Sequence, residues 1–202
     1  GIDTGQVNGI DFSDVENLQG GGDADSFVMA LAGQVTGSLS GGLGLDTLTG
    51  ADDSNIWTID GADAGNLDGS QFINIETLEG GAGDDAFVFA LTGYISGGLA
   101  GRAGQDRVRG ANKNSLWNLT GAGTGDLDGN AFTGIEDLIG GDSKDPFTFS
   151  AGGSLAGVIA GGAGSDTLDY AARLTGVSID LATGTATDTG GISDIESVLT
   201  GA

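Results

Sequence analysis

The chain has no cysteine, no histidine, one proline (Pro146) and only six basic residues, the first of them Arg102. Without cysteine no disulfide holds the fold, and thiol usage says nothing about redox compartment. Without histidine or cysteine, a Ser-His-Asp or Cys-His site and the usual zinc ligand sets are excluded. No run of 18 apolar residues is present, so no membrane-spanning helix is expected. The chain begins at Gly1 with no basic, apolar leader, and its first and last residues match parts of a longer pattern, so a piece of a longer protein is expected. With a single proline and no glycine at every third place, its 42 glycines do not read as collagen.

What is present is acid, glycine and a regular apolar ladder. Twenty-nine acidic residues give a net charge of −23, which repels nucleic acid and anionic lipid. Such self-repulsion favours cation binding. Hydrophobic residues make up 38% of the chain, enough for a narrow core rather than a disordered segment.

The stretch Leu78-Glu-Gly-Gly-Ala-Gly-Asp-Asp-Ala-Phe87 sets the template: an apolar residue, glycine two places on, aspartate seven on and an apolar residue nine on. Glycine admits tight backbone geometry and aspartate ends a turn, so this reads as a corner between two short strands. Apolar equivalents fall at Leu18, Leu39, Ile59, Leu78, Leu99, Leu119, Leu138, Ile159, Ile179 and Leu199, at a near-even step of about 20 residues. Seven places after the first nine stand Asp25, Asp46, Asn66, Asp85, Asp106, Asp126, Asp145, Asp166 and Ala186. A 60-residue period overlies this step in Phe12, Phe72 and Phe132, in Phe27, Phe87 and Phe147, in Trp57 and Trp117, and in Glu16, Glu76, Glu136 and Glu196. Repeats of this kind stack because none can bury its apolar face alone.

The expected fold is all-β: one continuous parallel β-solenoid over residues 1–202, with coils of about 20 residues and three coils per 60-residue repeat. The units run over about 1–20 (partial), 21–80, 81–140 and 141–202. Strand signals such as Ala86 to Ala90 and Leu116 to Thr120 are short and glycine-bounded, and Asp11 to Leu18 reads as a bent strand pair. Trp57 and Trp117 read as core rather than as sugar platforms, and the glutamate series reads as structural. Nothing interrupts the repeat to form a catalytic cleft.

The pieces Gly41-Gly-Leu-Gly-Leu-Asp-Thr-Leu48, Gly80-Gly-Ala-Gly-Asp-Asp-Ala-Phe87 and Gly161-Gly-Ala-Gly-Ser-Asp-Thr-Leu168 resemble the calcium-binding nonapeptide of RTX, or haemolysin-type, repeat proteins, and the chain resembles large secreted bacterial repeat adhesins in its repeat style. The resemblance implies Ca²⁺ held between stacked turns by the aspartates and glycine-turn carbonyls, with Asp25 and Asp46, Asp85 and Asp106, and Asp145 and Asp166 as the pairs. Here the motif occurs once per coil rather than back to back. Arg102 stands for the motif's second glycine in one corner, and Arg107 and Lys144 lie beside aspartates, where a basic group would replace an ion. The alternative is that each aspartate caps its turn by accepting backbone N–H groups.

The functional expectation is a structural segment of a large extracellular or cell-surface bacterial protein forming a rigid stalk, filament or surface matrix, associating end to end or continuing in a longer chain. A calcium-dependent RTX folding module of a secreted toxin or enzyme is the alternative, and a polysaccharide-active β-helix enzyme a minor one. No catalytic residue, nucleic acid partner or membrane insertion is expected.

Overall fold

The computed structural model describes residues 3–31 and 33–201, and all regular structure among them is β-strand. The fold is an all-β parallel solenoid. The chain divides into two compact units, Gly1–Asp106 and Arg107–Ala202.

The first unit contains β1 (Thr4–Val7), β2 (Ile10–Ser13), β3 (Leu18–Gln19), β4 (Ser26–Met29), β5 (Ser38–Ser40), β6 (Thr47–Thr49), β7 (Ile56–Gly61), β8 (Ala64–Leu67), β9 (Ser70–Ile73), β10 (Thr77–Gly81), β11 (Ala86–Phe89) and β12 (Gly98–Arg102). They line up as β2-β1-β4-β6-β10-β12 and as β3-β5-β9-β8-β7-β11. The chain crosses from one sheet to the other at each corner. In β7 alternate residues point inward, with Trp57 and Ile59 fully buried between exposed or half-buried neighbours.

The stacking register corrects the uniform coil of about 20 residues. Parallel neighbours differ by 21 in the numbering at Leu18 and Leu39, Phe27 and Leu48, and Leu78 and Leu99. They differ by 30 at Leu48 and Leu78 and at Trp57 and Phe87, and by 33 at Leu39 and Phe72. Ile59, expected to stack on Leu39, stands instead opposite Phe89. The additional residues form the antiparallel meander β7-β8-β9, with Trp57 opposite Leu67 and Gly65 opposite Phe72. Its second turn holds Asp68 and Gly69 at φ 48° and 98°, the two positive values that a tight two-residue hairpin turn needs.

From Phe12 to Phe72 the chain crosses between sheets five times, so one repeat makes two and a half coils rather than three. Phe72 therefore emerges in the sheet opposite to that of Phe12.

The second unit contains β13 (Arg107–Arg109), β14 (Trp117–Gly121), β15 (Thr124–Leu127), β16 (Asn130–Thr133), β17 (Asp137–Gly141), β18 (Pro146–Phe149), β19 (Val158–Gly162), β20 (Thr167–Tyr170), β21 (Ile179–Asp180), β22 (Thr185–Ala186), β23 (Gly191–Ser193) and β24 (Ser197–Thr200). Its orders are β16-β15-β14-β18-β20-β24 and β13-β17-β19-β23, with β21 and β22 as a separate hairpin. All three steps recur. The long step joins Val108 to Leu138 and Trp117 to Phe147, the short one joins Leu138 to Ile159 and Phe147 to Leu168, and the longest joins Ile159 to Ile192. Trp117, Phe132, Phe147, Phe149 and Tyr170 fill its core.

Candidate functional site

The corners at Gly20, Gly41, Gly50, Gly80, Gly140 and Gly161 leave a strand through a glycine where a Cβ would clash with its neighbours. A Cβ on Gly41 would stand 2.0 Å from the Asn74 carbonyl oxygen and 2.3 Å from Asp46 Oδ2, and one on Gly80 would stand 2.2 Å from Asp85 Oδ2. The glycine thus makes room both for the neighbouring coil and for the aspartate that ends its own corner.

The structure brings the predicted aspartates together in their expected pairs. The Asp25 N–H donates to Asp46 Oδ1 at 2.7 Å, that of Asp85 to Asp106 Oδ1 at 2.8 Å, and that of Asp145 to Asp166 Oδ1 at 2.8 Å. The ladder continues beyond the pairs. Glu76 Oε2 accepts from the Asp46 N–H at 2.8 Å and Glu196 Oε2 from the Asp166 N–H at 2.7 Å. Asp85 Oδ1 accepts from the Asn55 N–H and Asp145 Oδ1 from the Ser115 N–H. Apart from Asp25, each of these carboxylates therefore caps the corner of the coil beside its own, through charge-assisted bonds.

The second carboxylate oxygen divides the corners into two kinds. Asp25 and Asp145 close on their own turn, where Oδ2 accepts from the Gly21 N–H at 2.6 Å and the Gly141 N–H at 2.7 Å. In the corners of Asp46, Asp85 and Asp166 the corresponding residues are Gly42, Gly81 and Gly162, all with positive φ, and Oδ2 is buried with no hydrogen-bond partner. These three side chains are fully enclosed.

Burial pushes Asp85 up to about 6 against the lowering effect of its Asn55 hydrogen bonds, with the Asp106 and Asp68 charges adding to the rise. Burial likewise raises Asp145 and Asp166 from their ordinary value. Half-exposed Asp25 is lowered by hydrogen bonds from Asn8 and Gly21.

The basic residues do not neutralise this row. Arg102, held at φ 74°, pairs with Glu79, while Arg107 and Lys144 form no ion pair among the described residues. Asn66 and Asp126 occupy hairpins rather than corners: each accepts the N–H three residues on, from Gly69 and Gly129.

Two corners lay outside the expected ladder. Leu48 to Trp57 and Val108 to Trp117 follow the same template, with Gly50 and Gly110 two places on and Asn55 and Ser115 at the aspartate's place. Their polar residue seven places on was the available signal. Asn8-Gly9, Asp68-Gly69 and Asp128-Gly129 likewise marked the hairpins.

Chemically, the corners hold backbone in place. None of the six aspartates lines any of four surface cavities of about 270 to 430 Å³. Among the described residues no three acidic side chains gather as ligands for a metal ion. Trp57 and Trp117 are fully buried in core stacks. No protein-family model, curated protein or solved structure matches the chain. The class defined by the fold is the parallel β-solenoid with carboxylate-capped corners.

Proposed function

We propose that this chain is a structural segment of a large extracellular bacterial protein, a stalk, filament or surface-matrix element of the adhesin type. One observation carries the reading: in each unit corner carboxylates give an oxygen to a backbone N–H of a neighbouring coil, which suits a frame rather than a reaction centre. The outer edges of β2 and β24 are open within their sheets, which supports end-to-end association or continuation of the stack through strand addition. The large acidic excess suits a long particle that must stay soluble.

Length tests this directly. Residues 57–116 supply seven strands to two sheets, so each added repeat should lengthen the particle by about 17 Å at ~4.8 Å per strand. Small-angle scattering on chains with one and two added repeats reads that increment. An unchanged maximum dimension would refute the extended frame.

The unpartnered Oδ2 atoms of Asp46, Asp85 and Asp166 favour a second reading, a calcium-dependent folding module of a secreted toxin or enzyme. Those oxygens, with corner carbonyls, are the groups that would hold Ca²⁺, whose chemistry there would be to neutralise the row and tie coils together. A thermal melt in millimolar Ca²⁺, Mg²⁺ and chelator at one ionic strength separates the readings. A midpoint raised by Ca²⁺ alone establishes the second, and overlaid curves the first.

A further inference from the structure

A cavity of about 350 Å³ in the first unit is lined by Met29, Gln34, Asn55, Leu67 and two aspartates, Asp53 and Asp68. Asp68 is fixed: its Oδ1 accepts from the Ile56 N–H at 2.9 Å, and its carbonyl accepts from Gln34 Nε2 at 2.7 Å. Asp53 is held by its backbone, with its carbonyl accepting from Asn55 Nδ2 at 2.7 Å. Its carboxylate makes no hydrogen bond or ion pair among the described residues. Burial raises Asp68 above its ordinary value and the Asp53 charge adds to the rise, so two negative groups share a cavity that no lysine or arginine lines.

The second unit fills the equivalent place with a side chain of its own. One repeat further on, Asp128 Oδ1 accepts from the Leu116 N–H at 2.8 Å, as Asp68 does from Ile56. The Lys113 carbonyl accepts from Ser115 Oγ, as that of Asp53 does from Asn55. The backbone frame is the same, but the place of Asp53 is taken by Lys113, whose Nζ lies 3.2 Å from Asp128 Oδ2. One repeat thus carries its own ammonium group against this aspartate. The other presents a carboxylate and open space.

We propose that the cavity between Asp53 and Asp68 binds a primary alkylammonium group, its N–H bonds donated to the two carboxylates and its carbon chain laid against Met29 and Leu67. The precedent is the lysine ammonium of the equivalent place. A hard divalent cation fits less well, because it takes six to eight oxygens and these walls are partly aliphatic. Three N–H donors on a compact head suit two carboxylates, one of which already has an oxygen engaged.

The test is calorimetric and NMR titration of the whole chain with n-butylammonium chloride at constant ionic strength, beside tetramethylammonium, which has no N–H. Saturable binding of n-butylammonium alone is expected. It should weaken at least tenfold in Asp68→Asn, which retains an acceptor for the Ile56 N–H, and vanish in Asp53→Lys, where a tethered ammonium takes the place. Should Asp68→Asn fail to fold, Asp53→Lys decides, since lysine already stands there in the second unit. A flat titration of the native chain, equal binding of tetramethylammonium, or undiminished binding by Asp53→Lys overturns the proposal. Running Nα-acetyl-lysine methylamide in parallel separates the sources: tighter binding than n-butylammonium supports a lysine of a protein partner, and weaker binding supports a free amine.

Discussion

Trp57 lies on Phe87 with ring centroids 5.6 Å apart and planes 14° from parallel, although the two are far apart in the chain. They are register neighbours on the parallel strands β7 and β11, so the stack is set by strand pairing. Trp117 and Phe147 repeat it at 5.4 Å.

Trp57→Ala is expected to destabilise the chain by about 3–5 kcal/mol, the range for emptying a large aromatic site. Trp57→Phe should cost far less, because the buried Trp57 Nε1 has no hydrogen-bond partner to lose. Urea unfolding followed by circular dichroism measures both. Equal losses would mean that the indole N–H matters more than the stack.

Asp85 and Asp145 should respond differently to the same substitution. In Asp145→Asn the amide cannot accept from both Gly141 and Ser115, so a loss of about 1–3 kcal/mol is expected at neutral pH. Asp85→Asn keeps one acceptor and removes a buried charge whose second oxygen has no partner, so it should be neutral or stabilising. Denaturant midpoints of the two variants decide. A large loss in Asp85→Asn would show that its charge is needed.

Acid should stabilise the Asp85 corner. A carboxyl raised to about 6 in the folded chain binds a proton more tightly there than in the unfolded chain. Its contribution is complete below the unfolded value near 4 and is lost as pH rises through about 6. Melting temperature should therefore climb as pH falls from 7 to 5, with a smaller slope in Asp85→Asn. Identical slopes in the two proteins would exclude Asp85 as the titrating group.

Glycine tolerance should follow corner geometry rather than composition. Gly80→Ala places a methyl group 2.2 Å from Asp85 Oδ2 and 2.5 Å from the Gly101 carbonyl oxygen, and about 3 kcal/mol of destabilisation is expected. At Gly22 a Cβ meets nothing within 4 Å, so Gly22→Ala should change stability by no more than about 0.5 kcal/mol. Thermal midpoints of the pair check this, and similar values would contradict the packing described.

Much of the corner was legible in the residues themselves. Glycine two places after an apolar residue and aspartate seven places after it follow from local geometry that every copy must satisfy. The pairs Asp25 and Asp46, Asp85 and Asp106, and Asp145 and Asp166 fell into place because they share the 21-residue step. The glutamates do not read as ladder members in the sequence because Glu76 reaches Asp46 across a 30-residue step with a longer side chain. Asn55 and Ser115 do not stand out in the sequence because an amide and a hydroxyl stand where the other corners have a carboxylate.

By itself, the sequence determined the all-β class, the long repeat period, the inward aromatic residues and the need for glycine at the corners, since each follows from local sterics and alternating burial. Only the tertiary structure decided which steps stack. An even spacing of apolar residues is equally compatible with one uniform coil and with the observed mixture of short and long steps. The choice rests on hairpins at Asp68-Gly69 and Asp128-Gly129, which turn three strands antiparallel and carry the next repeat into the opposite sheet. It also decided the fate of each carboxylate oxygen, because the turn of one peptide at Gly21 or Gly42 determines whether an N–H reaches Oδ2.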